Sequence, residues 1–241
     1  MLEHFTGLPE QANTIRSGRD APARGGFVFG LRQRTASLHA QAEQSGFIGD
    51  MLRGKTTRYG FALLLRTLLP AYQALEAGLE QHRNSALLAP LARREVYRAA
   101  AIRADLALLV GAAWPKVLPL LSSGQSYADR VAAAATGDGT GLLAHAYTRF
   151  LGDLSGGRII SARIATDLGR VSSALRFYKF PEIADVAAFK STYLAALDAA
   201  GSLVGDPQSV IEEAMAAFLC NIAVSEDVQA NSAFVSGTRR V

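Results

Sequence analysis

A chain of 241 residues, 49% hydrophobic and 19% charged, is too apolar to remain disordered and long enough to bury a core of its own. No linker rich in Pro, Gly or Ser divides the interior, so one domain is expected over residues 26–230, between a loose arm at 1–25 and a tail at 231–241. The longest apolar run, Leu106 to Pro115, falls short of the ~18 residues that cross a bilayer. Met1 to Phe5 shows no basic-then-apolar leader, and a single cysteine, Cys220, excludes an internal disulfide. A soluble cytoplasmic protein without a membrane contact is the expectation. The net charge is +4, but the basic residues are scattered singly and not interleaved with aromatics. That pattern argues against nucleic acid and leaves an anionic ligand or an acidic protein partner.

Helical periodicity begins at Leu31, with Leu38 and Ala42 on the same stripe. Thr56-Thr57 suits the cap of a second helix carrying Phe61, Leu64, Leu65, Leu68 and Leu75 on one side, with Pro70 as an expected kink. A third helix is predicted from about Arg93 to Val110. A short one is predicted from a Ser126 cap to Ala135, ended by Gly-Asp-Gly-Thr-Gly at 137–141. Residues Leu142 to Leu168 are periodic but interrupted by Gly152, Gly156 and Gly157, and two last helices run from about Asp185 to Ala200 and from Pro207 to about Val228. Strand-like alternation is nearly absent, so the fold class is all-α, with seven or eight helices.

Three glycines within six residues are costly, because each loses roughly 1 kcal/mol against Ala in a helix interior. Either two helices pack tightly there, or a ligand approaches the backbone where the helix bends. Asp153 lies between these glycines, as a solvated residue or as a carboxylate that organises water in a pocket. Among the four histidines, His4 and His82 read as surface residues, His145 reads as a structural histidine, and His39 borders an apolar stripe with Glu43 one turn later. A metal-bound imidazole commonly gives its second ring nitrogen to a carboxylate, and the i,i+4 spacing places Glu43 for that. Spacing alone leaves His39 open between a packed side chain and a ligand. No Glu-x-x-His pair suits a di-iron centre, and no His/Cys cluster suits zinc. A lone ligand suits a metal already held by a macrocycle. Cys220, in Ala-Phe-Leu-Cys-Asn-Ile, reads as inert core.

The stretch Leu31-Arg-Gln-Arg-Thr-Ala-Ser-Leu-His39-Ala-Gln-Ala-Glu43 resembles the proximal helix of the heme oxygenases. Ala144-His-Ala-Tyr147-Thr-Arg149-Phe-Leu-Gly152-Asp153-Leu-Ser155-Gly156-Gly157 resembles their distal helix almost residue for residue. Phe177-Tyr-Lys-Phe-Pro181 and Ala217-Phe218-Leu-Cys-Asn221-Ile are similar to later segments of that family, in the same order. The resemblance runs from about Leu31 to Val228 and implies a single-domain helical bundle, with heme sandwiched between a proximal and a Gly-rich distal helix. It implies His39 as the iron ligand with Glu43 behind it, and Asp153, Arg149 and Tyr72 as the network that orders water and delivers protons. It also implies heme contacts at Arg32, Tyr147, Gly152, Ser155, Gly156, Gly157, Lys190, Phe218 and Asn221. Arg32 stands where a Lys is usual, and Leu194 stands where an Arg is common.

By the same resemblance heme is both cofactor and substrate, and O₂ and external electrons convert it to biliverdin, CO and ferrous iron, with the α isomer expected. The chain shows no flavin or nicotinamide fingerprint, so an acidic ferredoxin, flavodoxin or reductase is the implied donor. The alternative is a non-catalytic heme-binding or storage protein on the same fold, which would need His39 but neither Asp153 nor the distal glycines.

Overall fold

The computed structural model describes residues 25–237, and every regular element among them is helical. These are α1 (Phe27–Gln44), α2 (Gly46–Leu52), α3 (Arg58–Gln81), α4 (Ala99–Val110), α5 (Trp114–Val117), α6 (Ser122–Ala134), α7 (Leu142–Ala146), α8 (Gly152–Leu168), α9 (Val186–Gly201) and α10 (Pro207–Gly237). Short 3₁₀ turns cover Ala89–Leu91, Arg94–Val96 and Gly169–Ala174, and a π-helical turn, Tyr147–Leu151, joins α7 to α8.

Helix α3 is the central post. Its predicted apolar residues Phe61, Leu64, Leu65, Leu68 and Leu75 are all buried, and α4, α6 and α10 pack around it. Thr57 caps it by accepting from the Gly60 N–H at 3.0 Å, which satisfies one of the unpaired amides of the first turn. The helix continues unbroken across Pro70. On α1 only Leu31 of the predicted stripe is fully buried, while Leu38 and Ala42 are half-buried.

Four boundaries differ from the sequence prediction, each for a long-range reason. The third helix begins at Ala99 and not Arg93, because the Glu76 carboxylate of α3 accepts from the Arg98 and Ala99 N–H groups at 2.5 and 2.8 Å. That helix is capped from its neighbour. Helix α6 begins at Ser122 and not Ser126: Ser123 Oγ donates to Asp227, and Gly124 lies so close to α3 that a Cβ there would meet the Thr67 carbonyl oxygen at 2.3 Å. The Leu142–Leu168 stretch is not one α-helix but α7, the π turn and α8. Helix α10 runs on to Gly237, past the expected end near Val228. Val228 is buried, and Gln229 reaches the Asp50 carboxylate and the Gly46 carbonyl of α2. Most of the predicted arm, and residues 238–241 of the tail, lie outside the described residues.

His145 is buried on α7, as expected of a structural residue, and its Nε2 donates to Glu213 Oε1 at 2.9 Å. Arg130 pairs with the same carboxylate through two hydrogen bonds of 2.8 and 2.6 Å. Burial alone would raise Glu213, but the His145 and Arg130 contacts outweigh it and hold its pKa at about 2, below the ordinary 4.5. A depressed carboxylate stabilises the fold above its unfolded pKa, and that contribution is lost as pH falls through the folded value. Thermal melting is therefore expected to weaken between pH 4.5 and about 2, and Glu213→Gln to flatten that dependence. Identical pH slopes would show that the pair contributes nothing.

Candidate functional site

Two adjoining cavities of about 300 and 130 Å³ form one cleft between α1 and the π turn–α8 segment. The larger falls at the lower end of the range usual for small-molecule sites, ~300–1,000 Å³. His39, Thr148, Gly152 and Phe218 line both parts. His39 stands on α1 with its side chain 55% exposed, held edge-on against the Phe218 ring of α10 at 5.7 Å. Its Nδ1 faces Glu43 Oε1 at 3.7 Å, one helical turn away. At that separation no hydrogen bond joins them, and Nε2 has no hydrogen-bond partner among the described residues. Across the cleft, Gly152 is exposed, and a Cβ built there would meet nothing within 4 Å. Helix packing therefore does not explain this glycine. Gly157 is the packing case: its Cβ would stand 3.2 Å from the Tyr178 ring.

Asp153, Arg149, Tyr72 and Asn221 form a single buried network behind Gly152. Tyr72 donates to Asp153 Oδ2 at 2.5 Å. Arg149 donates to the Tyr72 hydroxyl from Nε and Nη2, at 3.0 and 2.5 Å, and to the Asn221 side-chain oxygen from Nη1. Burial pushes the Asp153 carboxyl above its usual range, while Arg149 pulls it back. Burial, with Asp153 opposite, also pushes the Tyr72 hydroxyl far up, so that hydroxyl stays a proton donor. Asp153 Oδ1 lies 3.6 Å from Arg149, has no hydrogen-bond partner among the described residues, and belongs to a side chain that lines the cleft. One carboxylate oxygen is thus fixed by the protein, and the other is left for solvent or ligand.

Of the predicted residues, Arg32, Tyr147, Ser155 and Lys190 line the larger cavity, and Glu43, Arg149, Asp153 and Asn221 the smaller. Tyr72 stands behind Asp153 and does not line the cleft. Gly156 and Gly157 do not line it either; a Cβ on them would meet Ile160 and Tyr178, two residues of its wall. Leu194 lines the larger cavity beside Lys190. Sequence reasoning missed Thr35, whose hydroxyl lies 3.4 Å from that of Tyr147, and the apolar wall of Ile48, Leu64, Leu68 and Ile160. A signal existed for part of this wall: Leu64 and Leu68 precede Tyr72 by two turns and one turn on α3, and Ile160 follows Gly156 by one turn on α8.

A lone histidine thus faces a carboxylate and a bare backbone across an open slot between two helices. Among the described residues no group of three or more His, Cys, Asp or Glu gathers to hold a bare ion. The heme oxygenase family model matches residues 26–227. Heme oxygenase 1 of Homo sapiens is 38% identical over 202 residues, covering 83% of this chain and 70% of the relative. The Synechocystis heme oxygenase 1 is 30% identical over 201 residues, covering 83% and 84%. The solved structure of Synechocystis heme oxygenase-1 in complex with heme superposes with a TM-score of 0.80 at 28% identity, covering 88% of this chain and 96% of that one. Heme oxygenase of Leptospira interrogans gives 0.76 at 32% identity, covering 83% and 98%. The chain belongs to the heme oxygenase family, and it is a heme-degrading oxidoreductase.

The glycine argument has a direct test. Ala at Gly152 is expected to stabilise the ligand-free protein by up to about 1 kcal/mol, since it removes a helix-interior glycine and meets no neighbour. The same methyl group enters the cleft, so heme affinity is expected to fall. A variant that binds heme normally would return Gly152 to a purely local role.

Proposed function

We propose that this protein cleaves heme to biliverdin, CO and ferrous iron, using O₂ and electrons from an acidic donor protein. The single observation that carries this reading is the opposition of His39 to the Asp153 network across one cleft. Bound heme supplies the iron that activates O₂ and the porphyrin that is cut. His39 Nε2 would hold the iron, with Glu43 facing Nδ1 one turn away. Asp153 holds water through its free oxygen, and Tyr72 keeps the other oxygen in place by donating to it. Arg149 fixes Tyr72 in turn and ties the pair to Asn221 on α10, so the proton-holding groups are preorganised by three helices. Gly152 leaves the backbone open to the ring. A storage protein needs only the His39 half, and the buried network on the other side supports turnover.

Arg32 and Lys190 offer charge-assisted hydrogen bonds to the propionates. Each bond of this kind is worth roughly 1.5–3 kcal/mol, and ~1.4 kcal/mol between two ring orientations is already tenfold in population. Leu194 adds an apolar contact on that side and no charge. The α isomer is expected as the main product, with Lys190→Ala giving a mixture; chromatography of the wild-type bilin decides, and a dominant β or δ isomer defeats this anchoring scheme. The same cations and the net positive charge support docking of an acidic ferredoxin, flavodoxin or reductase in the cytoplasm. No helix among the described residues is long and apolar enough to cross a membrane. Hemin added to the purified protein with a ferredoxin system tests the whole reading. Loss of the Soret band with release of biliverdin and ferrous iron is expected, and a Soret band that persists under reductant and O₂ favours storage.

A further inference from the structure

The connection from Leu175 to Phe180 has no regular secondary structure, yet two buried charged residues grip its backbone. Asp105 of α4, 1% exposed, accepts from the Arg176 N–H at 2.8 and 3.0 Å and from the Phe177 N–H at 2.8 Å. Arg98, immediately before α4 and 5% exposed, donates to the Lys179 carbonyl at 2.7 Å and the Phe177 carbonyl at 3.4 Å, and its guanidinium lies over the Phe180 ring at 4.2 Å. Burying a charge is costly unless its hydrogen bonds are well made, so these contacts hold the connection to one shape. The residue so presented is Tyr178. Its ring packs beneath Gly157 and lies 4.5 Å from the Phe177 ring, and Phe177 in turn meets Tyr72 edge-on at 5.6 Å. Tyr178 lines the smaller cavity together with Asp153, among the apolar side chains Ile48, Leu64, Leu68 and Ile160. Its hydroxyl has no hydrogen-bond partner among the described residues. Tyr178 is the only tyrosine lining that cavity among the described residues.

We propose that Tyr178 is a further positioning residue of the cleft, its hydroxyl and the free oxygen of Asp153 together holding water in the smaller cavity. The inference rests on the heme-cleaving reading of the cleft and adds a second polar anchor to it. Asp153 accepts from that water, and Tyr178 both donates to it and accepts from it, so the water is fixed between two groups on different segments. Burial pushes the Tyr178 hydroxyl well up, with Asp153 adding to it, which keeps it a donor. The connection, gripped by the buried Arg98 and Asp105, thereby sets where water stands relative to α8.

The test is fluoride affinity of the ferric heme complex, read optically, for wild type and Tyr178→Phe. Fluoride on the iron accepts hydrogen bonds from ordered water and hydroxyls on its side of the ring. Removal of one neutral hydrogen bond predicts affinity about 3- to 10-fold weaker. The ring of Phe keeps its contact with Gly157, so the melting temperature of the heme-free variant is expected to match wild type. Equal fluoride affinity overturns the proposal. So does weaker affinity accompanied by an equal fall in melting temperature, because a structural role alone explains both. Should wild type give no Soret complex with hemin, the heme reading fails, and this inference with it.

Discussion

His39→Ala is expected to lower heme turnover by more than about 100-fold. Replacing an outer partner of a metal-bound histidine already costs ~10–100-fold, and this change removes the ligand itself. The apolar walls of the cleft remain, so heme is still expected to enter, but among the described residues no other histidine lines the cleft. His145, the other histidine near α10, is buried and engaged with Glu213. Added imidazole fills the vacated volume and is expected to restore part of the activity. An unchanged Soret spectrum and rate in the variant would move the ligand elsewhere and undo the assignment of α1 as the proximal side.

Asp153→Ala is the second large effect and acts on the opposite face. Heme binding is expected to persist, because Asp153 contributes no apolar wall and no axial contact. Turnover is expected to fall by about 10²–10⁴-fold, the range usual for loss of a positioned acid–base group. The loss compounds, since Tyr72 is left without its acceptor and Arg149 loses the carboxylate 3.6 Å away. Tyr72→Phe removes the donor to Asp153 Oδ2 and the acceptor of Arg149 but leaves the carboxylate in place, and is expected to be milder. Biliverdin formed at the wild-type rate by the Asp153 variant would remove the whole network from the chemistry.

Much of this was legible in the residues. Helical periodicity marked α1, α3 and the last two helices, the crowding of Gly152, Gly156 and Gly157 marked the place where a ligand meets backbone, and the i,i+4 pair of His39 and Glu43 marked the opposite wall. The rest depends on contacts between residues distant in the chain. The start of α4 is set by Glu76, more than twenty residues upstream, and no local cap residue signals it. The extension of α10 depends on Gln229 meeting α2. Tyr178 gains its place from Arg98 and Asp105, both more than seventy residues away.

The π turn at Tyr147–Leu151 governs the phase of the helix that carries the site. Successive residues of an α-helix step by about 100° around its axis, and a π turn absorbs one residue more than an α turn of the same height. His145, before the turn, addresses Glu213 on α10; Asp153, after it, addresses Tyr72 on α3. A regular helix through 147–151 would rotate everything downstream by roughly one residue's step, and the two ends could not face both neighbours at once. The turn works as a fixed angular offset between a structural half and a chemical half of one rod. The turn therefore matters more than its ordinary-looking residues suggest, since the same residues wound as a regular α-helix would aim the carboxylate at the wrong wall.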